Sequence, residues 1–236
     1  TPRPWLAALL ARRPTKVAAI ALANKIARIA WAMMVRGTRY SEPAALDIAE
    51  AAILSKGFEA TSIEEIVEEA EITKSGFFYH FKDKNVLAMA LLRRYIDREE
   101  ALFDSLFSRA AELHEDPLHA FLIGLKLFAE MMGDLPSVHP GCLIAVYCYN
   151  ERLYQNEIRS LSQESALAWR ARFQEILEEI AAKYPPKDDV DIVALADMVS
   201  STFEGGIAMS KILRDRQVLP DQVLLLRSYV KLLFVG

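Results

Sequence analysis

Residues 73–84 read TKSGFFYHFKDK and bring Lys74, Ser75, Tyr79 and His80 within seven positions of one another. Each of the four carries a hydrogen-bond donor at a different reach: an ammonium, a short hydroxyl, a phenol and an imidazole. Such a set suits recognition of phosphate oxygens and base edges. Ser75 and Gly76 are slender, so the backbone beside them can approach a groove closely. Phe77 and Phe81, one helical turn apart, are read as core. Lys74, Tyr79 and His80 have no packing role on so short a helix.

Elsewhere the reactive residue types form no constellation. Cys142 and Cys148 are too few for a disulfide framework and fit no zinc spacing, so they read as reduced thiols in a cytoplasmic protein. His114, His119 and His139 fall near helix ends, without Ser–His–Asp, metal or phosphate-loop spacing. No cofactor and no metal is expected. An enzyme acting on a small apolar molecule in the C-terminal half is the alternative function; turnover of a bound ligand would distinguish it.

The elements that must position these residues are helical throughout, an all-α chain with no alternating strand pattern. Pro43 starts a helix over 43–56 that Gly57 closes. Thr61 or Ser62 caps a second, with Glu64 and Glu65 in its first turn, running to about Ala70. Thr73 caps the third. Two helices joined by a three-residue turn have the spacing of a helix-turn-helix, whose second helix enters the major groove. Longer helices are expected over 85–113, 117–133, 140–153, 157–183, 189–213 and 221–234.

Charge divides the chain. Residues 1–40 hold eight basic and no acidic side chains, leaving 20 basic against 32 acidic over 41–236. Residues 41–88 alone carry four lysines and ten acids, an unusual balance for a DNA-binding unit. The resolution expected is spatial: Glu64, Glu65, Glu68 and Glu69 line the outside of the second helix while Lys74, Lys82 and Lys84 face phosphates. Within 16–35 the longest uncharged run is the eight residues Val17 to Asn24, so no spanning helix is read there, and no membrane partner is expected. A basic helix lying on a membrane surface is the rival reading of that segment.

ALDIAEAAILSKGFEATSIEEI followed by AEITKSGFFYHFKDKNVL resembles the N-terminal domain of TetR-family transcriptional regulators, with Gly57, Phe58, Thr61, Ser62, Tyr79, His80, Phe81, Lys84 and Leu87 in register. The resemblance in motif covers about 45 residues; the remainder agrees in helical architecture. It implies a helix-turn-helix DNA-binding domain over 41–88 and a larger effector-binding and dimerisation domain over 89–236. It further implies a homodimeric, ligand-responsive repressor that reads double-stranded operator DNA and is released by a small molecule. The DNA contacts are then Thr61, Ser62, Thr73, Lys74, Ser75, Gly76, Phe78, Tyr79, His80 and Lys84. Two positions depart from the pattern: Glu71 stands where the family has glycine, and Phe78 where it has tyrosine.

In the larger domain, Phe103, Phe107, Phe128, Met131, Met132, Cys142, Tyr147 and Tyr149 make a Met- and aromatic-rich wall for an apolar or aromatic effector. Trp169, Phe173, Ile176, Ile180, Val199, Phe203 and Gly206 are assigned to the dimer interface, with Gly205 and Gly206 allowing close helix approach. PWLAALLARRPTKVAAIALANKIARIAWAMMVRG resembles the C-terminal tail of insertion-element transposases. Residues 1–40 are therefore read as a fusion remnant or misplaced start, the rival being a basic arm that tracks phosphates.

Overall fold

A computed structural model describes residues 42–150 and 157–235, with isolated positions 15 and 23. Residues 1–41, apart from those two positions, and 151–156 lie outside the described residues. Among the described residues there are nine α-helices and no strand.

Glu42–Lys56 (α1) buries Ala45, Leu46, Ala49, Ile53 and Leu54. Gly57 closes it at φ +90°, its N–H on the Ile53 carbonyl at 2.8 Å. Ile63–Glu69 (α2) is capped by Ser62, whose hydroxyl accepts from the Glu65 amide at 3.1 Å. The connection to the next helix is a Schellman turn: the Glu71 and Ile72 amides donate back to Glu68 and Val67, each at 3.1 Å. That motif places Glu71 at φ +52°, the left-handed region where a Cβ is costly.

Lys74–His80 (α3) is capped by Thr73, which accepts from the Gly76 amide at 3.0 Å. Lys84–Leu113 (α4), Pro117–Gly133 (α5) and Leu143–Cys148 (α6) follow. Glu157–Lys183 (α7), Ile192–Leu213 (α8) and Val218–Phe234 (α9) complete the chain. The expected helix over 140–153 is shorter, because Gly141 at φ +126° holds the chain extended up to Cys142.

Two cores share α4. Leu87, Leu91, Leu92, Tyr95 and Ile96 pack with Phe58, Ile66, Phe77, Phe81, Leu143 and Tyr147 under the reading head. Phe103, Leu106 and Ala110 enter the second core, built with α5, α7, α8 and α9. The helix is continuous through residue 88, so the head has no flexible linker behind it. At the junction Glu50 of α1 is nearly buried and meets two guanidinium groups of α4, Arg94 at 2.9 Å and Arg98 at 2.6 Å.

Ion pairs also bind α7 to its neighbours: Arg170 to Asp197 at 2.7 Å, Arg172 to Asp104 at 2.5 Å, and Lys183 to Asp116 at 2.7 Å. Burial works against the charged form of Asp116, yet hydrogen bonds from Lys183, His119 and Tyr184 hold its carboxyl well below the usual carboxylate range.

Glu71→Gly relieves the left-handed strain in the turn between α2 and α3. It should raise unfolding free energy by about 1 kcal/mol in a denaturant titration.

Candidate nucleic-acid interface

Seven residues make α3, and one of them anchors it. Phe77 is fully buried, with the Phe81 ring at 5.4 Å and the Phe78 ring edge-on at 5.5 Å. At 100° per residue the side opposite Phe77 falls between Ser75 and Tyr79, with Phe78 next to Ser75 and Lys74 further round, about 60° from Phe77. The exposures agree: Thr73, Lys74, Ser75 and His80 are exposed, Gly76 is half-buried, Phe78 is 44% and Tyr79 55% exposed. The Tyr79 and His80 rings meet edge-on at 5.0 Å. One helix face therefore carries a cation, a hydroxyl, a phenol and an exposed phenyl ring. Phe78 has no hydroxyl to offer a phosphate; its ring is suited to the apolar methyl edge of thymine.

Three assignments need correction. Thr61 is fully buried and its hydroxyl donates to the Gly57 carbonyl at 2.9 Å, so it closes the α1–α2 corner, and Ser62 alone presents a hydroxyl at the head of α2. Lys84 turns inward: its Nζ donates to the Phe58 carbonyl and lies 4.2 Å from the centre of the Phe58 ring. Burial lowers the Lys84 pKa, with Glu59 opposing. The acidic residues of α2 do not stand apart from the lysines. Glu64 pairs with Lys74, and Glu65 with Lys56. Both carboxyls are held below their ordinary range, chiefly by those lysine hydrogen bonds. The head's net negative charge thus acts locally, by occupying the first cation of the recognition helix.

The proposed effector wall is divided by the fold. Phe103, Phe107, Phe128, Met131 and Met132 lie together in the second core, Phe103 to Phe128 at 5.5 Å. Cys142 and Tyr147 belong to the core under the reading head, and Tyr149 is 87% exposed. Burial, then the Glu204 carboxyl, pushes the Cys142 thiol up to about 12, and burial raises the Tyr147 phenol.

The interface residues are corrected too. Phe173, Ile180, Val199 and Phe203 are buried inside the single chain, with Trp169 and Ile176 packed against the same core. Phe203 lies tilted against Phe128, ring centres 4.6 Å apart, and Trp169 meets Phe103 edge-on at 4.6 Å. Sequence reasoning split one aromatic cluster between two roles, because a 3–4 residue apolar repeat marks a buried face without saying against which chain. Gly206 lies under Leu219 of α9, where a Cβ would stand 2.7 Å from Leu219 Cδ1. Gly205, its neighbour, faces open space. What sequence reasoning missed is the outer side of α8 and α9, where Met198, Met209, Ile212, Leu225, Tyr229 and Leu232 are all exposed. α8 is also the one described helix long and apolar enough to cross a membrane by length and composition, since its inner and outer stripes are both apolar.

Among the described residues one group could approach a metal ion, His114, Asp116 and His119 at the α4–α5 corner. Asp116 is already engaged by Lys183, Tyr184 and His119, and His114 Nδ1 accepts from the Asp116 amide at 3.0 Å. That bond leaves the proton on the His114 Nε2 that a metal would need bare. The trio reads as a capped, ion-paired helix corner.

Residues 45–91 match the family described as bacterial regulatory proteins, tetR family. The chain is 24% identical over 163 residues to the transcriptional regulator AcuR of Cereibacter sphaeroides, covering 68% of this chain and 71% of that one. It is 23% identical over 171 residues to the HTH-type transcriptional repressor DhaR of a Mycobacterium species, 72% of this chain and 82% of that one. A TetR-family regulator from Agrobacterium tumefaciens superposes with a TM-score of 0.67 at 18% identity, over 82% of this chain and 97% of the other. A separate stretch of 36 residues, 15% of this chain, is 61% identical to 11% of a protein named "Probable family 20 transposase" from Pseudomonas aeruginosa, in keeping with the resemblance read in residues 1–40.

Glu64→Gln releases Lys74. Affinity for unrelated duplex should rise, and the slope of log affinity against log salt should steepen by about one unit, measured by anisotropy titrations at several salt concentrations.

Proposed function

We propose that this chain, which belongs to the TetR family of DNA-binding transcriptional regulators, is a homodimeric repressor that a small apolar or aromatic effector releases from its operator. The family comprises regulators and not enzymes, so the enzymatic alternative falls away. The observation that carries the reading is α3 itself: a helix anchored by one buried phenylalanine, with Ser75, Phe78 and Tyr79 turned out on the opposite side. Ser62 and the N-terminal amides of α2 are placed to meet a phosphate beside it. The repressor named DhaR, among the relatives, supports the direction of control. The protein works in the cytoplasm, with the DNA.

Dimerisation uses the outer faces of α8 and α9. Along α8, Ala194, Met198, Ser201, Gly205, Ala208 and Ile212 repeat at three and four residues, all exposed and none charged. With Leu225, Tyr229 and Leu232 of α9 they form an apolar surface of the kind a two-fold four-helix bundle covers. The effector enters among Phe103, Phe107, Phe128 and Met132, beside Phe203 of that same α8. A ligand that wedges these rings apart shifts α8, and with it the spacing of the two heads.

The full chain is titrated by fluorescence anisotropy with duplex from upstream of its own coding sequence, against excess unrelated duplex. Saturable, selective binding is expected, weakened about tenfold or more in Tyr79→Ala at unchanged melting temperature. Equal affinity for unrelated duplex would sink the reading. A chain lacking residues 1–40 that binds equally well would make that segment a remnant; lost binding would make it an arm.

Gly205→Glu places a charge on the open outer face without touching the inner one. The variant should fold and sediment as a monomer where the wild type sediments as a dimer.

A further inference from the structure

The last turn of α8 reaches across the molecule into the reading head. Lys211 Nζ donates to the Leu54 carbonyl at 2.6 Å and to the Pro140 carbonyl at 2.9 Å. Leu54 belongs to the last turn of α1, whose final four carbonyls have no partner within the helix. The Ile53 carbonyl is satisfied by the Gly57 amide, and the Leu54 carbonyl by Lys211, a residue 157 positions away. A cation at a helix C-terminus also meets the negative end of the helix dipole.

The seat for Lys211 is built. Gly141, at φ +126°, runs beside it, and a Cβ there would lie 3.5 Å from Nζ and 3.6 Å from Leu54 Cδ2. His139 of the same loop is half-buried, and burial, then Lys211 and Arg98, lower its pKa. The same flank of α8 carries Glu204, two turns earlier, against the Cys142 thiol and the Tyr95 phenol. α8 thus meets the last turn of α1 through Lys211 and the core beneath the head through Glu204, while its outer face stays exposed.

We infer that Lys211 is a positioning residue for DNA recognition: it clamps the C-terminus of α1 to α8 and so ties the angle of the reading head to the helix that forms the dimer. This rests on the homodimeric regulator reading given above. Without the clamp the head is held by Glu50 with Arg94 and Arg98 of α4 and by the core it shares with Leu91 of α4, Leu143 and Tyr147 of α6 and Ile158 of α7. It keeps its fold and its base contacts but samples a wider range of angles. Half-site spacing, which a dimer reads geometrically, is then read less sharply.

The test uses the full chain with Lys211→Met, which keeps the length and apolar stem, and Lys211→Arg, which keeps the cation. Hydrogen–deuterium exchange reports on the clamp without DNA or a partner. Amides of residues 53–58 should exchange about tenfold faster in Lys211→Met, as expected for loss of charge-assisted hydrogen bonds, with α5 and α9 unchanged and Lys211→Arg close to wild type. The DNA arm takes duplexes that the wild type enriches from a random library and inserts one base pair between half-sites. The wild type should lose about tenfold in affinity on insertion, and Lys211→Met less than about threefold, with Lys211→Arg restoring discrimination.

Unchanged exchange in Lys211→Met, or a spacing penalty equal to wild type, would overturn the inference. If the wild type enriches no sequence at all, the regulator reading fails, and the exchange measurement decides the clamp by itself.

Discussion

Glu50 sits at the hinge of this molecule, its carboxylate nearly buried between α1 and α4 with Arg94 and Arg98 closing on it. Arg94 also reaches Asp47, one turn earlier. A buried carboxylate met by two guanidiniums adds little net stability compared with an apolar substitute, but pulling it from its partners leaves an uncompensated charge. Any seating of α1 on α4 other than the observed one therefore carries a penalty. The geometry of the reading head follows from that choice, since α2 and α3 pack on the face of α1 and α4 that Glu50 and its partners align.

From that anchor the molecule extends in two directions with different chemistry. Toward DNA it is polar and locally self-neutralised: Glu64 on Lys74, Glu65 on Lys56. With its carboxylate partner in place, the Lys74 ammonium is already engaged within the chain. Away from DNA it is apolar and aromatic, with Phe103 at the centre of rings from α4, α5, α7 and α8. Gly124 makes that density possible, because Phe107 occupies the space a Cβ would need, 2.5 Å from its nearest ring carbon. Ring edges and faces can re-pair at modest cost, so such a cluster can admit a flat guest more readily than an aliphatic core of equal volume.

Helix α8 is the element common to these contacts. Its inner stripe of Leu195, Val199, Phe203 and Gly206 closes the aromatic core. Its outer stripe is uncharged, and its remaining flank reaches the head's Leu54 through Lys211 and the Cys142 thiol through Glu204. A helix engaged on three sides cannot respond to one neighbour without moving the others, because packed interfaces shift between discrete arrangements and do not deform continuously.

The helix-turn-helix was legible in the sequence because its information is local. Gly57, Ser62, Thr73 and the Phe77–Phe81 pair act within a few residues, so caps, turns and the outward set on α3 could be read from spacing alone. Glu71 stood out only through the family resemblance, which has glycine there, and the structure supplied its left-handed φ of +52°. The destination of a long side chain or an apolar stripe is set by partners distant in sequence, and those escaped. Nothing near Lys84 or Lys211 announces that each would cap a backbone carbonyl of the α1–α2 corner. A 3–4 residue repeat in α7 and α8 establishes that a face is buried, and only the folded chain decided that Phe173 and Phe203 turn inward while Gly205 and Ile212 turn out. Local hydrogen bonding and periodicity were determined by the sequence itself. Tertiary packing alone decided which of two apolar faces closes the core and which stays exposed, because the free energy of burial depends on area removed from water and not on which surface removes it.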